Sequence, residues 1–116
     1  MVKILCLAAA AMTMIASAAE AAPICLRTSD MLETRPAKDG KSIVFKMRDG
    51  SAWRNDLHGV CSDLWFNTGF VWTVKNGDGT VCENQNTLRV LNSGQVCTLG
   101  AFTQLTPARS EQHVQR

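Results

Sequence analysis

The chain has 116 residues, of which 46% are hydrophobic and 19% charged, with 12 basic and 10 acidic side chains. A formal net charge of +2 gives no electrostatic basis for binding nucleic acid, and no basic run suggests attachment to a membrane surface. This length is enough for one domain and too short for two.

The N-terminal segment has the parts of a secretory signal peptide. Lys3 supplies a positive charge, residues 4–15 form a short apolar run, and small residues follow. Ala-x-Ala cleavage sites end at Ala18 and at Ala21, and we favour the second. The alternative is a membrane anchor, but a span needs roughly 20 apolar residues. We therefore predict that residues 1–21 are removed, leaving a periplasmic or secreted protein of 95 residues without a membrane span.

The first strong strand signal surrounds Asp49-Gly50. Apolar and polar residues alternate on both sides of this pair, across residues 42–57. With a three-residue loop at positions 48–50, Phe45 lies opposite Trp53 and Met47 opposite Ser51. Since a slip of one residue would turn every side chain to the other face, this register is preferred. The predicted buried face consists of Ile43, Phe45, Met47 and Trp53.

Two further hairpins are expected beyond residue 69. Residues 70–74 form a strand that ends at the turn of residues 76–79, and Thr80–Cys82 is its expected return. Residues 87–91 and 95–99 flank the second turn, Asn92-Ser93-Gly94. A two-residue Ser93-Gly94 loop places Leu88, Val90, Cys97 and Leu99 on one face, so Cys97 is expected to point into the core.

These segments predict an all-β fold. Helical periodicity appears nowhere over a useful length, and short strands between Gly-rich turns are typical of small antiparallel folds. We expect a barrel or sandwich of about five to six strands, stapled by two disulfides, over residues 22–105. Residues 106–116 are polar, contain Pro107 and are predicted to form a disordered tail.

Residues 24–102 also carry a resemblance. It rests on CLRTSD near the start, the strand sequence IVFKMRDGSAWRN, Cys61 after it, Cys82 before TLRVL, and CTLGAF at the end. In these features the chain resembles a family of small exported proteobacterial proteins that is classed as a domain of unknown function. The resemblance implies a compact, exported β domain. Its motifs are structural, so it implies no catalytic residue.

Four cysteines, Cys25, Cys61, Cys82 and Cys97, remain once the signal peptide is removed. Their spacings of 35, 20 and 14 residues lack the C-x-x-C pair of zinc and thioredoxin-like sites. In an oxidising compartment they predict two disulfides, with no metal and no cofactor. Three pairings are open. We favour Cys61 with Cys82, closing a loop between strands, and Cys25 with Cys97, tying the first strand to the last.

Aromatic residues give the main hint of function. Flat rings bind the apolar faces of sugars and peptides, and neighbouring polar groups supply hydrogen bonds. The alternative is that these rings fill the core. The candidate ligand contacts are Trp65, Trp72, Arg54 and Asn55, with Asn67 nearby. The sequence therefore favours a non-catalytic envelope module, binding or structural, whose partner is an envelope protein or glycan and not nucleic acid.

The alternative function is that of a small secreted enzyme or a metal-binding protein. Asp56, His58 and Asp63 lie close together in the sequence, and a histidine beside carboxylates is able to act as a base or bind a metal. No nucleophile accompanies them, so we do not expect an enzyme. The enzyme hypothesis requires these three side chains to converge in a concave pocket.

Overall fold

The computed structural model describes residues 22–66, 69–73 and 76–112, so the predicted signal peptide lies outside the described residues. This part of the chain consists mainly of strands. They are β1 (Cys25–Arg27), β2 (Met31–Pro36), β3 (Ser42–Met47), β4 (Ala52–Asp56), β5 (Phe70–Trp72), β6 (Thr80–Cys82), β7 (Thr87–Val90), β8 (Val96–Thr98) and β9 (Phe102–Thr106). Two 3₁₀ turns, Thr28–Asp30 and Ser62–Leu64, and one helical turn, α1 (Arg109–Gln112), complete the described elements. No helix in the described ranges is long and apolar enough to cross a bilayer.

The strands form three antiparallel sheets, which confirms the predicted all-β class. Their orders are β2-β3-β4-β9, β5-β7-β8 and β1-β6. Of the two predicted architectures, barrel or sandwich, a closed barrel is not formed, because a barrel has no sheet edges, whereas β2 and β9 form the two edges of the largest sheet. The strand number was also underestimated, since several strands are only three residues long.

The β3–β4 hairpin has the predicted register. Phe45 pairs with Trp53, and the Met47 N–H donates to the Ser51 carbonyl oxygen at 2.9 Å. Gly50 has a φ of 87°, the left-handed conformation that a three-residue loop requires. The predicted face is buried at Ile43, Phe45 and Met47 and half-buried at Trp53. Alternating polarity was sufficient here because both strands are local in sequence.

The expected pairing of β5 with β6 is wrong. β5 pairs with β7, where Trp72 lies opposite Leu88, and β6 pairs with β1. The turn between β5 and β6 nevertheless forms, since the Asn76 N–H donates to the Thr80 carbonyl oxygen at 3.1 Å. Its return strand therefore belongs to a different sheet from the strand before it. Residue 74 of the predicted strand lies outside the described residues.

The β7–β8 hairpin keeps the predicted faces in a different register. Leu88 pairs with Cys97, and the Val90 N–H donates to the Gln95 carbonyl oxygen at 2.8 Å. The loop is therefore four residues long, 91–94, and the register is displaced by two residues from the expected one. Side chains alternate with a period of two, so this displacement leaves each residue on its original face. The four residues predicted to share a face are all buried, Cys97 among them.

Both edge strands of the four-stranded sheet contain a bulge. The pairing of β2 with β3 skips Leu32, and the pairing of β9 with β4 skips Leu105. Each extra residue is an exposed leucine. A bulge interrupts the regular row of backbone groups that another strand would pair with. β2 is further protected by Glu33 and Arg35, which form an ion pair at 2.7 Å.

The favoured cysteine pairing is wrong. The disulfides join Cys25 to Cys82 and Cys61 to Cys97. Cys25 lies directly opposite Cys82 in the β1–β6 ladder. The loop after β4 crosses β8, where His58 forms a bridge with Thr98, and this brings Cys61 to Cys97. The prediction failed because it assumed that β1 and β8 meet at the closure of a barrel.

The predicted disordered tail has structure as far as residue 112. Thr106 belongs to β9, and α1 follows after a two-residue link. The Arg109 N–H donates to the Asp49 carbonyl oxygen at 2.8 Å. The Arg109 side chain lies so close to Gly50 that a Cβ there would clash with it. Residues 113–116 lie outside the described residues.

Candidate functional site

The most exposed apolar side chains of the described chain include three in one loop. We call residues 57–66 the Trp65 loop; it follows β4 and contains the 3₁₀ turn Ser62–Leu64. Phe66 is 80% exposed, Val60 56% and Trp65 43%. Large apolar side chains grouped on a surface segment mark interaction sites more often than single exposed ones do.

The Trp65 loop is held in place at several points. Cys61 is bonded to Cys97 of β8, and the Cys61 N–H donates to the Gly40 carbonyl oxygen at 2.7 Å. Leu64 is 1% exposed and belongs to the hydrophobic core. The Asp63 N–H donates to Gln95 Oε1 at 2.9 Å. The loop thus presents its apolar tip from a fixed base, which limits the entropy lost when a partner binds.

Lys38 lies over the Trp65 ring. Its Nζ is 5.5 Å from the ring centroid, within the range of a cation–π contact. The ammonium group therefore occupies part of the space above one face of the indole. A flat ligand stacking on Trp65 would have to use the other face or displace Lys38. Phe66, by contrast, presents most of its ring to solvent.

A shallow cavity of about 380 Å³ lies at the base of the Trp65 loop. Leu57, Gly59 and Val60 provide one side, while Lys41 and Asp56 provide groups of opposite charge. Val60 belongs both to this cavity and to the exposed apolar residues of the loop. The surface around the loop therefore combines an apolar projection with a small recess beside it.

A second concave site, which we call the Trp53 groove, lies near the β3–β4 turn and has a volume of about 580 Å³. Its volume is within the range of small-molecule sites. Cys25 of the β1–β6 disulfide forms part of its wall, and Ala108 and Glu111 bring the C-terminal segment to it. The residues that give it its polar and aromatic character are Arg27, Asp30, Arg48, Trp53 and Gln104.

A chain of hydrogen bonds orders the turn beside the Trp53 groove. The Trp53 indole N–H donates to Ser51 Oγ at 3.2 Å, and Ser51 Oγ donates to Asp49 Oδ1 at 2.5 Å. The Ser51 N–H donates to the same Asp49 oxygen at 2.8 Å. The Ser51 hydroxyl, followed by its backbone N–H, holds the pKa of Asp49 below the ordinary value of 3.8. Asp49 is therefore engaged by the turn in its ionised form.

The predicted ligand contacts do not form one site. Trp65 is exposed in its loop, whereas Trp72 is half-buried and packs edge-on against Phe70, with ring centroids 5.1 Å apart. Arg54 projects from β4 and pairs with Asp56 at 3.1 Å. Asn67 lies outside the described residues.

The prediction that Asn55 contacts a ligand is wrong. Its side chain is fully buried, its Nδ2 donates to the Gly100 carbonyl oxygen at 2.8 Å, and its Oδ1 accepts from the Gly100 N–H at 2.9 Å. Both polar groups of the amide are therefore used within the domain. Asn55 was predicted to contact a ligand because it lies close to Trp53 in the sequence. Its hydrogen-bond partner, Gly100, lies on a distant segment.

The three residues of the enzyme hypothesis are engaged in separate contacts. Asp56 pairs with Arg54, and the Asp63 backbone meets Gln95. His58 Nε2 lies 2.8 Å from Asn84 Oδ1 on the surface. In the described part of the chain no group of three histidine, cysteine or acidic residues is arranged to hold a metal ion. None of these contacts joins two of the three residues.

Sequence reasoning missed Phe66 and Lys38 as members of the exposed surface. Phe66 was not among the candidate ligand contacts, although its position directly after Trp65 in a segment without strand alternation argued for a loop. Lys38 is distant in sequence, so no local pattern connects it to Trp65. Comparisons of this chain with family models, with curated proteins and with solved structures find no match.

Proposed function

We propose that this chain is an exported, non-catalytic binding module that contacts a protein partner through the Trp65 loop. The observation that carries the proposal is the exposure of Phe66 and Trp65 on a loop fixed by a buried disulfide. Exposing apolar side chains of this size to water is unfavourable. Their exposure on one loop therefore favours a partner that buries them. Aromatic anchors on a rigid base are typical of the residues that dominate protein interfaces.

The partner is a protein and not a glycan because of the chemistry of the loop tip. Phe66 has no hydrogen-bonding group with which to orient a sugar, and Lys38 lies over the Trp65 ring. A protein pocket that accepts Phe66 needs only apolar surface, and each fully buried phenylalanine contributes about 1.5–3 kcal/mol. Two disulfides suit a protein that works in an oxidising compartment, and the signal-like N terminus supports export to the periplasm or beyond.

Site-specific photocrosslinking tests this proposal. A photoreactive phenylalanine analogue replaces Phe66 in one variant and Leu32 in the control, since Leu32 is also an exposed apolar residue but lies in β2. We expect a discrete protein adduct in the cell envelope from position 66 and none from position 32. The additional substitution Trp65→Ala should reduce the adduct by about tenfold, as loss of an interface anchor does.

Two outcomes would contradict the proposal. Adducts of equal yield from both positions would show that exposure alone, without a specific surface, explains the crosslink. An adduct that resists protease and is released by glycan-degrading enzymes would identify a glycan partner instead.

A further inference from the structure

The two disulfides lie in different environments. Cys25 is exposed and lines the Trp53 groove, whereas its partner Cys82 is 4% exposed. Cys61 and Cys97 are 1% and 5% exposed, so the second disulfide has no accessible end. Thiol–disulfide exchange requires a thiolate to reach a sulfur atom in line with the bond that breaks. Of the four cysteines only Cys25 is exposed, so an incoming thiolate would reach the first disulfide from solvent at its Cys25 end.

The buried end of the first disulfide has a hydrogen-bond donor beside it. Asn76 Nδ2 lies 3.1 Å from Cys82 Sγ, within the distance of an N–H···S hydrogen bond. A hydrogen bond to a sulfur stabilises that sulfur as a thiolate, and a more stable thiolate leaves faster in exchange. Attack on Cys25 would expel Cys82 towards this donor. Cys25, the exposed cysteine, and Cys82, the cysteine stabilised as a leaving group, are therefore the two ends of one disulfide.

We propose that Cys25–Cys82 is a thiol-exchange site in which Cys25 receives an incoming thiolate and Cys82 is the leaving group held by Asn76. The protein is the substrate of this exchange and the co-reactant is a dithiol. One thiolate of the dithiol forms a bond with Cys25 Sγ while the bond between Cys25 and Cys82 breaks. Cys82 departs as a thiolate and takes up a proton.

The second thiol of the co-reactant completes the exchange. It attacks the co-reactant's own sulfur in the mixed disulfide and releases Cys25 as a thiol. The co-reactant is oxidised by two electrons to a disulfide, and the pair Cys25 and Cys82 is reduced by two electrons. Within the described residues β1 pairs with β6 alone, through three residue pairs, so the consequence is local. Loss of the bond removes the covalent tie between β1 and β6 along one wall of the Trp53 groove, while the backbone pairing and the buried Leu26 still hold β1 in place.

Timed reduction tests the proposal on the wild-type chain. The oxidised protein is treated with dithiothreitol under native conditions, alkylated at intervals and digested, and each cysteine peptide is quantified by mass spectrometry. Cys61–Cys97 serves as the internal control. We expect Cys25 and Cys82 to be alkylated at least about tenfold faster than Cys61 and Cys97. Equal rates, or faster reduction of Cys61–Cys97, would overturn the proposal.

Glutathione, a monothiol, identifies the attacked sulfur. A mixed disulfide with glutathione should be found on Cys25 and not on Cys82. Its appearance mainly on Cys82 would overturn the assigned direction of exchange.

The substitution Asn76→Asp tests the role of the leaving group. It retains the size of the side chain but removes the N–H donor and adds a charge that opposes a thiolate. Reduction of Cys25–Cys82 should slow by about threefold or more, while Asn92→Asp in the exposed β7–β8 turn should leave the rate unchanged. An unchanged rate in Asn76→Asp, with the fold confirmed by circular dichroism, would remove Asn76 from the site.

Discussion

Asn55 shows how a single buried side chain joins two segments that are far apart in sequence. Its amide forms two hydrogen bonds with the backbone of Gly100, which is itself buried. Gly100 also lies against the Asp56 carbonyl so closely that no Cβ fits between them. The amide of Asn55 and the missing side chain of Gly100 together allow this close approach.

The substitution Asn55→Ala should destabilise the domain by about 2–4 kcal/mol, because it leaves a buried N–H and a buried carbonyl without their partners. Urea unfolding followed by tryptophan fluorescence measures the change. Gln85→Ala is the matched control, since Gln85 is an exposed amide, and its effect should stay within about 0.5 kcal/mol. Equal effects of the two substitutions would show that the Asn55 bonds contribute nothing.

The roles of buried polar side chains such as Asn55 were poorly predicted from the sequence. Asn55 was assigned to a ligand because its neighbour Trp53 is aromatic, and nothing within ten residues of Asn55 indicates Gly100. Trp65, a candidate ligand contact, is exposed, whereas Phe45 and Trp53, which lie in one hairpin, were paired correctly. Side chains whose partners are local were therefore predicted, and those with distant partners were not.

At the scale of the elements, the chain contains two turns of the same type, with the sequence pattern Asp-Gly followed by Ser or Thr. Asp49-Gly50-Ser51 and Asp78-Gly79-Thr80 each place glycine at positive φ. In each, the aspartate accepts bonds from the N–H and the hydroxyl of the residue two positions later. The first copy closes the β3–β4 hairpin, whereas the second precedes a strand that pairs with β1. A turn sequence thus predicts the local reversal of the chain but not which sheet the next strand joins.

The first turn also gives the domain a defined response to acid. The pKa of Asp49 is lowered, mainly by the Ser51 hydroxyl and then by the Ser51 N–H. A carboxyl whose pKa is lower in the folded chain stabilises that chain above the ordinary pKa of 3.8, and this stabilisation is lost as the pH falls through the lowered value.

The substitution Ser51→Ala should therefore raise the pKa of Asp49 towards 3.8, and the part of the acid-induced loss of stability that comes from Asp49 should become smaller. Carboxyl chemical shifts followed by NMR during a pH titration measure this change. Asp78 is the control within the same protein, because the Thr80 hydroxyl and N–H lower its pKa in the same way. If Asp49 titrated identically in both proteins, the Ser51 hydroxyl would not be the cause.

On the scale of the whole molecule, the disulfides have unequal roles despite similar loop lengths. Their sequence separations are 57 and 36 residues, and the loop-entropy model assigns about 4 kcal/mol to each. The environments differ, since Cys61 and Cys97 belong to the core cluster that joins the three-stranded sheet to the base of the Trp65 loop. Composition and spacing predicted that two disulfides form, but their pairing depends on which sheets β1 and β8 occupy.

Replacing each cysteine pair by alanine separates these roles. The variant Cys61→Ala/Cys97→Ala loses its cross-link and also leaves a gap among buried side chains, so we expect it to be unfolded or to melt far below the wild type. The variant Cys25→Ala/Cys82→Ala should remain folded with a smaller decrease in Tm, because only the short β1–β6 sheet loses its covalent tie. Thermal unfolding by circular dichroism compares the two variants. A larger loss of Tm in the Cys25→Ala/Cys82→Ala variant would show that Cys25–Cys82, and not Cys61–Cys97, contributes most to the stability of the domain.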